Sequence, residues 1–97
     1  MVIKYSKQAI KDSEKIRQFP ALTKTVKALI NLISENPFVS PPAYKKLLGF
    51  ENVYSRRINI QHRLVYEVRE KENLIVILRM WSHYEWWKGA AIAFFFL

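Results

Sequence analysis

The stretch that decides the fold is Tyr54–Val68, which reads YSRRINIQHRLVYEV. Apolar and polar side chains alternate on both sides of a short polar break, which is typical of two half-buried strands joined by a turn. We predict a β-hairpin with strands at 53–60 and 62–69. Because side chains alternate faces along a strand, Arg57 and Arg63 share a face only if the connection has an odd number of residues. A three- or five-residue loop around Asn59–Gln61 meets that condition.

Two arginines held side by side on an exposed face repel each other unless an anion comes to them. The guanidinium group presents a planar fork of donors that matches phosphate oxygens. The whole chain carries a formal net charge of +8 over 97 residues. This balance favours an anionic partner such as nucleic acid or an acidic protein.

Length and composition predict one folded domain. The chain is 51% apolar and 14% aromatic, which argues against disorder. It has no cysteine, which excludes a disulfide framework and a thiolate metal site. The first residues, MVIKYSKQAIKDSEK, contain no apolar segment of the kind found in secretory signals. We therefore expect a cytoplasmic protein without a transmembrane segment.

The hairpin is preceded by a predicted strand and two predicted helices. Val2–Tyr5 is an apolar run typical of an edge strand, and Ser6 is a suitable N-cap for a helix at 7–17. The apolar stripe of that helix is predicted at positions 9, 10, 13 and 16. Pro20 fits the first turn of a second helix, whose helical periodicity extends over Leu22–Ser34. A proline-rich loop at 37–44 and a brief strand within 44–48 lead into the hairpin.

The predicted fold is α+β, with two N-terminal helices packed on one face of an antiparallel sheet and the other face free to bind a ligand. A last, strongly apolar strand is predicted at 74–80. Counting by twos along it groups His83 with Ile75, on the side opposite Leu74. If the Leu74 side faces the helices, His83 joins Arg57 and Arg63 on the open face.

Imidazole exchanges protons near neutral pH, and arginines stabilise negative charge that develops on a phosphate. One histidine and two arginines without metal ligands describe a metal-independent ribonuclease more readily than a deoxyribonuclease. RNA carries its own nucleophile, the 2′-hydroxyl. We expect no cofactor.

Four stretches of the sequence carry a family resemblance: YSRRINIQHRLVYEV, the strand end MWSHYE, and the upstream segments SKQAIKDSEKI and ENPFVSPPAYKKLLG. They closely resemble the YoeB/Txe branch of the RelE-type toxins of bacterial toxin–antitoxin modules. The resemblance covers residues 1–85 as a single RelE-like toxin domain, and residues 86–97 form an apolar C-terminal extension. It implies a compact RelE-like fold, similar to that of microbial ribonucleases.

The resemblance also implies an activity and partners. Toxins of this branch cleave mRNA in the ribosomal A site by attack of the 2′-oxygen on phosphorus, which leaves a 2′,3′-cyclic phosphate and a 5′-hydroxyl. A cognate acidic antitoxin covers or distorts the site. The expected partners are therefore mRNA, ribosomal RNA and an antitoxin, and a homodimer is a further expectation.

Carried over residue by residue, the resemblance assigns Arg57 and Arg63 to the phosphorane and His83 to protonation of the leaving 5′-oxygen. Tyr84 completes the terminal pair of the catalytic set. The family has a glutamate as general base where this chain has Lys45. Lys45 is expected to serve as a base or as a phosphate clamp, and Glu51 is a further candidate for the base.

Three more cations are candidate RNA contacts: Lys46, Arg56 and Arg79. Arg56 falls on the core-facing side of its strand, which favours a snorkelling or ion-paired residue. A series of lysines in the N-terminal third of the chain is expected to be a solvated surface, or to guide docking on ribosomal RNA. They are at positions 4, 7, 11, 15, 24 and 27.

The extension at 86–97 is too short to span a bilayer, which takes about 20 residues. It fits a dimer interface, a membrane surface or unselected sequence. The alternative to an endoribonuclease is a non-catalytic binding protein on the same fold, either a gyrase-poison-like relative or a toxin remnant that binds its antitoxin.

Overall fold

The protein consists of a five-stranded sheet with two helices packed on one face. The structure is a computed structural model that describes the backbone of residues 1–83 and the side chains of residues 1–81. Tyr84 and the extension predicted at 86–97 lie outside the described residues. In chain order the elements are β1 (Val2–Tyr5), α1 (Lys7–Ile16), α2 (Pro20–Glu35), β2 (Tyr44–Lys46), β3 (Val53–Arg57), β4 (His62–Arg69) and β5 (Leu74–His83). A short 3₁₀ turn, Glu70–Glu72, joins β4 to β5.

The strand order is β1-β5-β4-β3-β2. Strands β2 to β5 form an antiparallel meander, whereas β1 lies parallel to β5. The predicted α+β architecture with two helices on one face is confirmed, and β1 is an edge strand as expected. The sheet is mixed, however, and not purely antiparallel. A four-residue strand such as β1 carries no pattern that fixes its direction.

The main core lies between the helices and one face of β4 and β5. It contains Leu64, Tyr66 and Val68 of β4 together with Ile75 and Ile77 of β5. Helix residues complete it: Ala9, Ile16, Val26, Leu29 and Ile33. The Ile75 side of β5 therefore faces the helices, and the Leu74 side does not.

The N-terminal helix presents a different face from the one predicted. Ser6 caps it as expected, because its Oγ accepts a hydrogen bond of 3.0 Å from the amide of Ala9. Its buried residues are Ala9, Asp12 and Ile16, whereas Ile10 is 51% exposed. The predicted stripe is thus rotated, and a carboxylate takes a place in the interface with the sheet.

Asp12 is buried because it receives the unpaired amides of an irregular part of β5. Between the pairs Val65↔Arg79 and Arg63↔Ser82, strand β5 has one more residue than β4, which is the two-against-one count of a β-bulge. Asp12 Oδ2 accepts from the amides of Met80 at 3.0 Å and Trp81 at 3.2 Å. It also accepts from Arg79 Nε at 2.8 Å.

The hairpin between β3 and β4 has the predicted parity. Arg57 pairs directly with Arg63, and the amides of Ile58 and Asn59 both donate to the carbonyl of His62. Asn59 Oδ1 accepts from the amides of Gln61 and His62 at 2.9 and 2.7 Å. Residues 59–61 lie between Ile58 and His62, which are joined by a backbone hydrogen bond. This three-residue loop confirms the predicted odd number, although β3 itself ends at Arg57 and not at residue 60.

The face of the sheet away from the helices is only partly open. Leu47 is buried there against Val53, Val65 and Leu78, and Phe50 packs on the same cluster. The chain turns back at Gly49, whose φ of +87° is a conformation that favours glycine. The expectation of a wholly free face is therefore wrong, because the segment at 47–50 covers one part of it. In the described part of the chain, no helix is long and apolar enough to cross a membrane.

Candidate active site

Three cationic residues lie on that face, outside the apolar cluster under the segment at 47–50. Arg57 and Arg63 are direct cross-strand partners on β3 and β4. Lys45 on β2 pairs with Ser55, and Ser55 lies two residues before Arg57 on β3. Since residues paired across strands lie on one face, Lys45, Ser55, Arg57 and Arg63 are neighbours on the face opposite the helices.

The arginine pair combines one buried and one exposed side chain. Arg63 is 6% exposed, and its Nε donates to Ser55 Oγ at 3.1 Å. Arg57 and Lys45 are exposed. The guanidinium of Arg63 is held in one orientation by Ser55, whereas the guanidinium of Arg57 extends into solvent, where it can meet a ligand.

The exposed cations Arg57 and Lys45 lie outside the ion pairs formed by the described side chains. Among the residues whose side chains are described, the ion pairs are Asp12–Arg79, Glu67–Arg69 and Glu72–Arg69. Neither Arg57 nor Lys45 takes part in one. The face therefore has a local excess of positive charge suited to a phosphate.

The core side of β5 differs from the one that the prediction for His83 assumed. His83 is the last residue of β5, where the backbone register pairs it with His62 and pairs Ser82 with Arg63. The prediction that His83 shares a face with the two arginines assumed a core on the Leu74 side, whereas Ile75 and Ile77 pack against the helices. The side chain of His83 lies outside the described side chains, so its face stays a prediction. Its backbone is nevertheless one residue from the partner of Arg63.

His62 is a structural residue. It is 3% exposed, and its ring stacks on Trp81 with a centroid distance of 4.1 Å. Trp81 in turn stacks on Phe19 at 5.7 Å. The sequence contains two histidines, so His83 is the other imidazole that the chain can offer for proton transfer.

Arg56 does not reach a solvent-facing surface. It is fully buried, and its Nε donates to Tyr66 Oη at 3.0 Å. Its Nη1 donates to the carbonyl of Pro42 at 2.6 Å. Its Nη2 donates to the carbonyls of Pro37 and Val39 at 3.0 and 2.7 Å. The assignment of Arg56 as an RNA contact is therefore wrong, since its donors are already committed inside the fold.

Tyr66 belongs to the same network. Its hydroxyl donates to the carbonyl of Pro37 at 2.9 Å. Burial raises the pKa of Tyr66, and the hydrogen bond from Arg56 acts in the opposite direction. The neutral hydroxyl that this network needs is thus the form that burial favours.

Of the remaining candidate residues, Arg79 is buried, whereas Lys46 and Glu51 are exposed. Arg79 is 3% exposed and ion-paired with Asp12, so its assignment as an RNA contact is also wrong. Lys46 is exposed at the sheet edge and pairs with Tyr54, on the opposite face from Lys45. Glu51 is exposed in the loop between β2 and β3.

Sequence reasoning missed Asp12, the residue that holds the strand leading to His83. Its spacing from Ala9 and Ile16, three residues after one and four before the other, is the signal that could have identified it as facing the sheet. A carboxylate at such a position is usually read as solvated, because burial of an unpaired charge is unfavourable.

The chain is similar to known proteins in both sequence and structure. A family model described as "ParE toxin of type II toxin-antitoxin system, parDE" matches residues 3–87. The toxin YoeB of Synechocystis sp. (strain PCC 6803) is 37% identical over 68 residues, which are 66% of this chain and 73% of that protein.

Two solved structures resemble the fold closely. The YoeB dimer from Staphylococcus aureus is 33% identical, with a TM-score of 0.76 over 87% of this chain and 98% of that one. The YoeB/ParE toxin from Agrobacterium tumefaciens has a TM-score of 0.79 at 23% identity, over 87% of this chain and 100% of that one. The S. aureus protein has also been solved as a YoeB–YefM complex, with a TM-score of 0.74, 33% identity and coverage of 87% and 98%.

Proposed function

Because the chain belongs to the ParE/YoeB family of toxins of type II toxin–antitoxin systems, we propose that it is an endoribonuclease that cleaves mRNA in the ribosomal A site. The observation that supports this proposal is the direct pairing of Arg57 with Arg63 on the face that also carries Lys45. Three neighbouring cations suit the scissile phosphate of RNA, and two of them, Arg57 and Arg63, sit on directly paired strands, where such contacts are held in place.

In this mechanism the 2′-oxygen of the RNA attacks the adjacent phosphorus while its proton passes to a base, for which Glu51 is the candidate. The bond from phosphorus to the 5′-oxygen breaks, and His83 donates a proton to the leaving oxygen. The products are a 2′,3′-cyclic phosphate and a 5′-hydroxyl. Tyr84, which follows His83 in the sequence, completes the proposed catalytic set.

The cations stabilise the charge that develops on the phosphorane. Arg63, oriented by Ser55, and Arg57, exposed beside it, donate to its oxygens. Lys45 is assigned to phosphate binding, because an ammonium group has three donors and no acceptor. Lys46 at the sheet edge and the exposed lysines of α1 and α2 contact ribosomal RNA as point charges.

Primer extension on mRNA in a translating extract tests the proposal. The wild-type chain should produce discrete stops within the reading frame. Arg57→Gln should weaken them about ten- to hundredfold, in line with the loss of a hydrogen bond to a charged group. Arg69→Gln is the matched control, because Arg69 is an exposed arginine already paired with Glu67, and its stops should match the wild type. Absence of wild-type stops would contradict the proposed cleavage.

The proposed regulatory partner is a cognate antitoxin with an acidic segment that binds across the arginine-lined face. The YoeB–YefM complex of the S. aureus relative supports such an assembly. A homodimer is also proposed, since the same relative has been solved as a YoeB dimer.

Electrostatic steering makes the rate of antitoxin association sensitive to salt. With a net charge of +8, the association rate constant should fall by about tenfold or more between low salt and about 1 M, where the Debye length is about 3 Å. Stopped-flow mixing at increasing ionic strength measures this. An association rate constant that does not change with salt concentration would show that electrostatic steering does not contribute to antitoxin binding.

The alternative function is a non-catalytic antitoxin- or target-binding protein on the same fold. The observation that favours it is Lys45, which stands where the resemblance places a general-base glutamate. A chain that binds antitoxin but leaves ribosome-bound mRNA intact would support this alternative over the nuclease.

A further inference from the structure

We infer that Arg56 is a positioning residue that fixes the proline-rich segment 37–42 and, through it, the strand that carries Lys45. The inference about activity rests on the proposed function, whereas the inference about position does not. Arg56 and Arg57 are adjacent in the sequence and have opposite surroundings, one fully buried and the other exposed.

The hydrogen bonds of Arg56 lead, directly or through Tyr66, to one segment. Its guanidinium donates to the carbonyls of Pro37, Val39 and Pro42. Its Nε donates to Tyr66 Oη, which itself donates to the carbonyl of Pro37. A segment rich in proline has few amides of its own for secondary structure, so its carbonyls depend on donors from elsewhere in the fold.

The same guanidinium also contacts the start of β2. Its Cζ lies 4.9 Å from the centroid of the Tyr44 ring, a cation–π contact. Tyr44 is the cross-strand partner of Arg56, and Lys45 follows it directly. Phe38 packs on Tyr54 with a centroid distance of 5.2 Å, which ties the segment to β3 at a second point.

These contacts explain how a three-residue edge strand keeps its place. Among the described residues, strand β2 has one neighbour in the sheet, β3, and its two lysines are exposed. Such a short edge strand is weakly held by its ladder alone. The planar fork of Arg56 supplies the additional attachment, which an ammonium group could not reproduce because it is a compact point charge.

Hydrogen exchange of the peptides that span residues 38–47 tests the inference without any RNA. Arg56→Lys keeps the charge and removes the fork, and exchange there should become about tenfold faster or more, as expected for lost hydrogen bonds from a charged donor. Arg57→Lys is the matched control on the same strand and should leave this exchange unchanged. Unchanged exchange in Arg56→Lys would overturn the inference.

The rate of cleavage of ribosome-bound mRNA distinguishes a positioning role of Arg56 from a direct contact between Arg56 and RNA. A positioning role predicts that Arg56→Lys and Arg56→Met lose similar activity. Activity retained by the lysine variant and lost by the methionine variant would assign Arg56 to a charge contact and overturn the inference. If the wild type proves not to cleave RNA, the exchange result still decides the positioning role.

A milder variant covers the case in which Arg56→Lys does not fold. Tyr66→Phe removes only the hydroxyl that links Arg56 Nε to the carbonyl of Pro37. Exchange in residues 38–47 should rise in this variant while exchange in α2 stays at the wild-type rate. A uniform change in both regions would indicate a global loss of stability and contradict a local attachment.

Discussion

Replacing His83 with alanine should slow single-turnover cleavage of ribosome-bound mRNA by about 10²–10⁴-fold, the usual contribution of general acid–base assistance. The leaving 5′-oxygen needs a group that gives up a proton near neutral pH, and imidazole is that side chain. His62 is buried in a stack with Trp81, which leaves His83 as the imidazole for the reaction. The backbone register places it one residue beyond Ser82, the partner of Arg63.

Lys45→Ala is the variant to compare with His83→Ala, because it separates loss of phosphate binding from loss of proton transfer. If Lys45 binds phosphate, its removal should slow cleavage only about ten- to hundredfold, as for one hydrogen bond to a charged group. A Lys45→Ala defect equal to or larger than that of His83→Ala would make the lysine a proton-transfer residue. If neither substitution changed the rate, the active site would have to lie elsewhere on the chain.

Replacing Asp12 with alanine should lower the free energy of unfolding by about 3–5 kcal/mol, the usual effect of breaking a buried ion pair. Asp12 is fully buried, and its carboxylate accepts from Arg79 and from the amides of Met80 and Trp81. The variant leaves a buried guanidinium and two strand amides without their acceptor. Because domains are stable by only about 5–15 kcal/mol, this is a large share of the total.

Urea denaturation of Asp12→Ala and Glu14→Ala measures this effect. Glu14 is an exposed carboxylate on the same helix, so its removal should change the unfolding free energy by less than about 0.5 kcal/mol. Asp12→Asn retains one carbonyl acceptor and should be intermediate. Equal stabilities of the Asp12→Ala and Glu14→Ala variants would show that the carboxylate does not hold the bulge.

Local sequence signals determined the elements and much of the hairpin. Ser6 and Pro20 mark the starts of the helices because capping and a fixed φ act within one turn. The pairing of Arg57 with Arg63 follows from strand alternation and the loop parity that Asn59 sets. These features depend on residues close together in the chain, so their physical causes are visible in the sequence.

The sequence did not determine which face of β5 meets the helices. The strand is apolar on both sides, so the expectation for His83 depended on an assumed core side, and the structure has the opposite one. A second apolar cluster under the segment at 47–50 explains why both faces are apolar. Periodicity reports that a face is buried but not which element buries it.

Only the tertiary structure decided the roles of the polar residues in the interior. Arg56 and Arg57 are adjacent arginines on β3, and their side chains point to opposite faces of the sheet. Arg56 is therefore buried and binds carbonyls of the segment 37–42, whereas Arg57 is exposed. Asp12 meets Arg79 across 67 positions of the chain. The β-bulge that it stabilises sets the register of the strand that ends at His83. A contact between residues so distant in sequence leaves no local pattern, since its free energy arises only when the helix and the strand pack together.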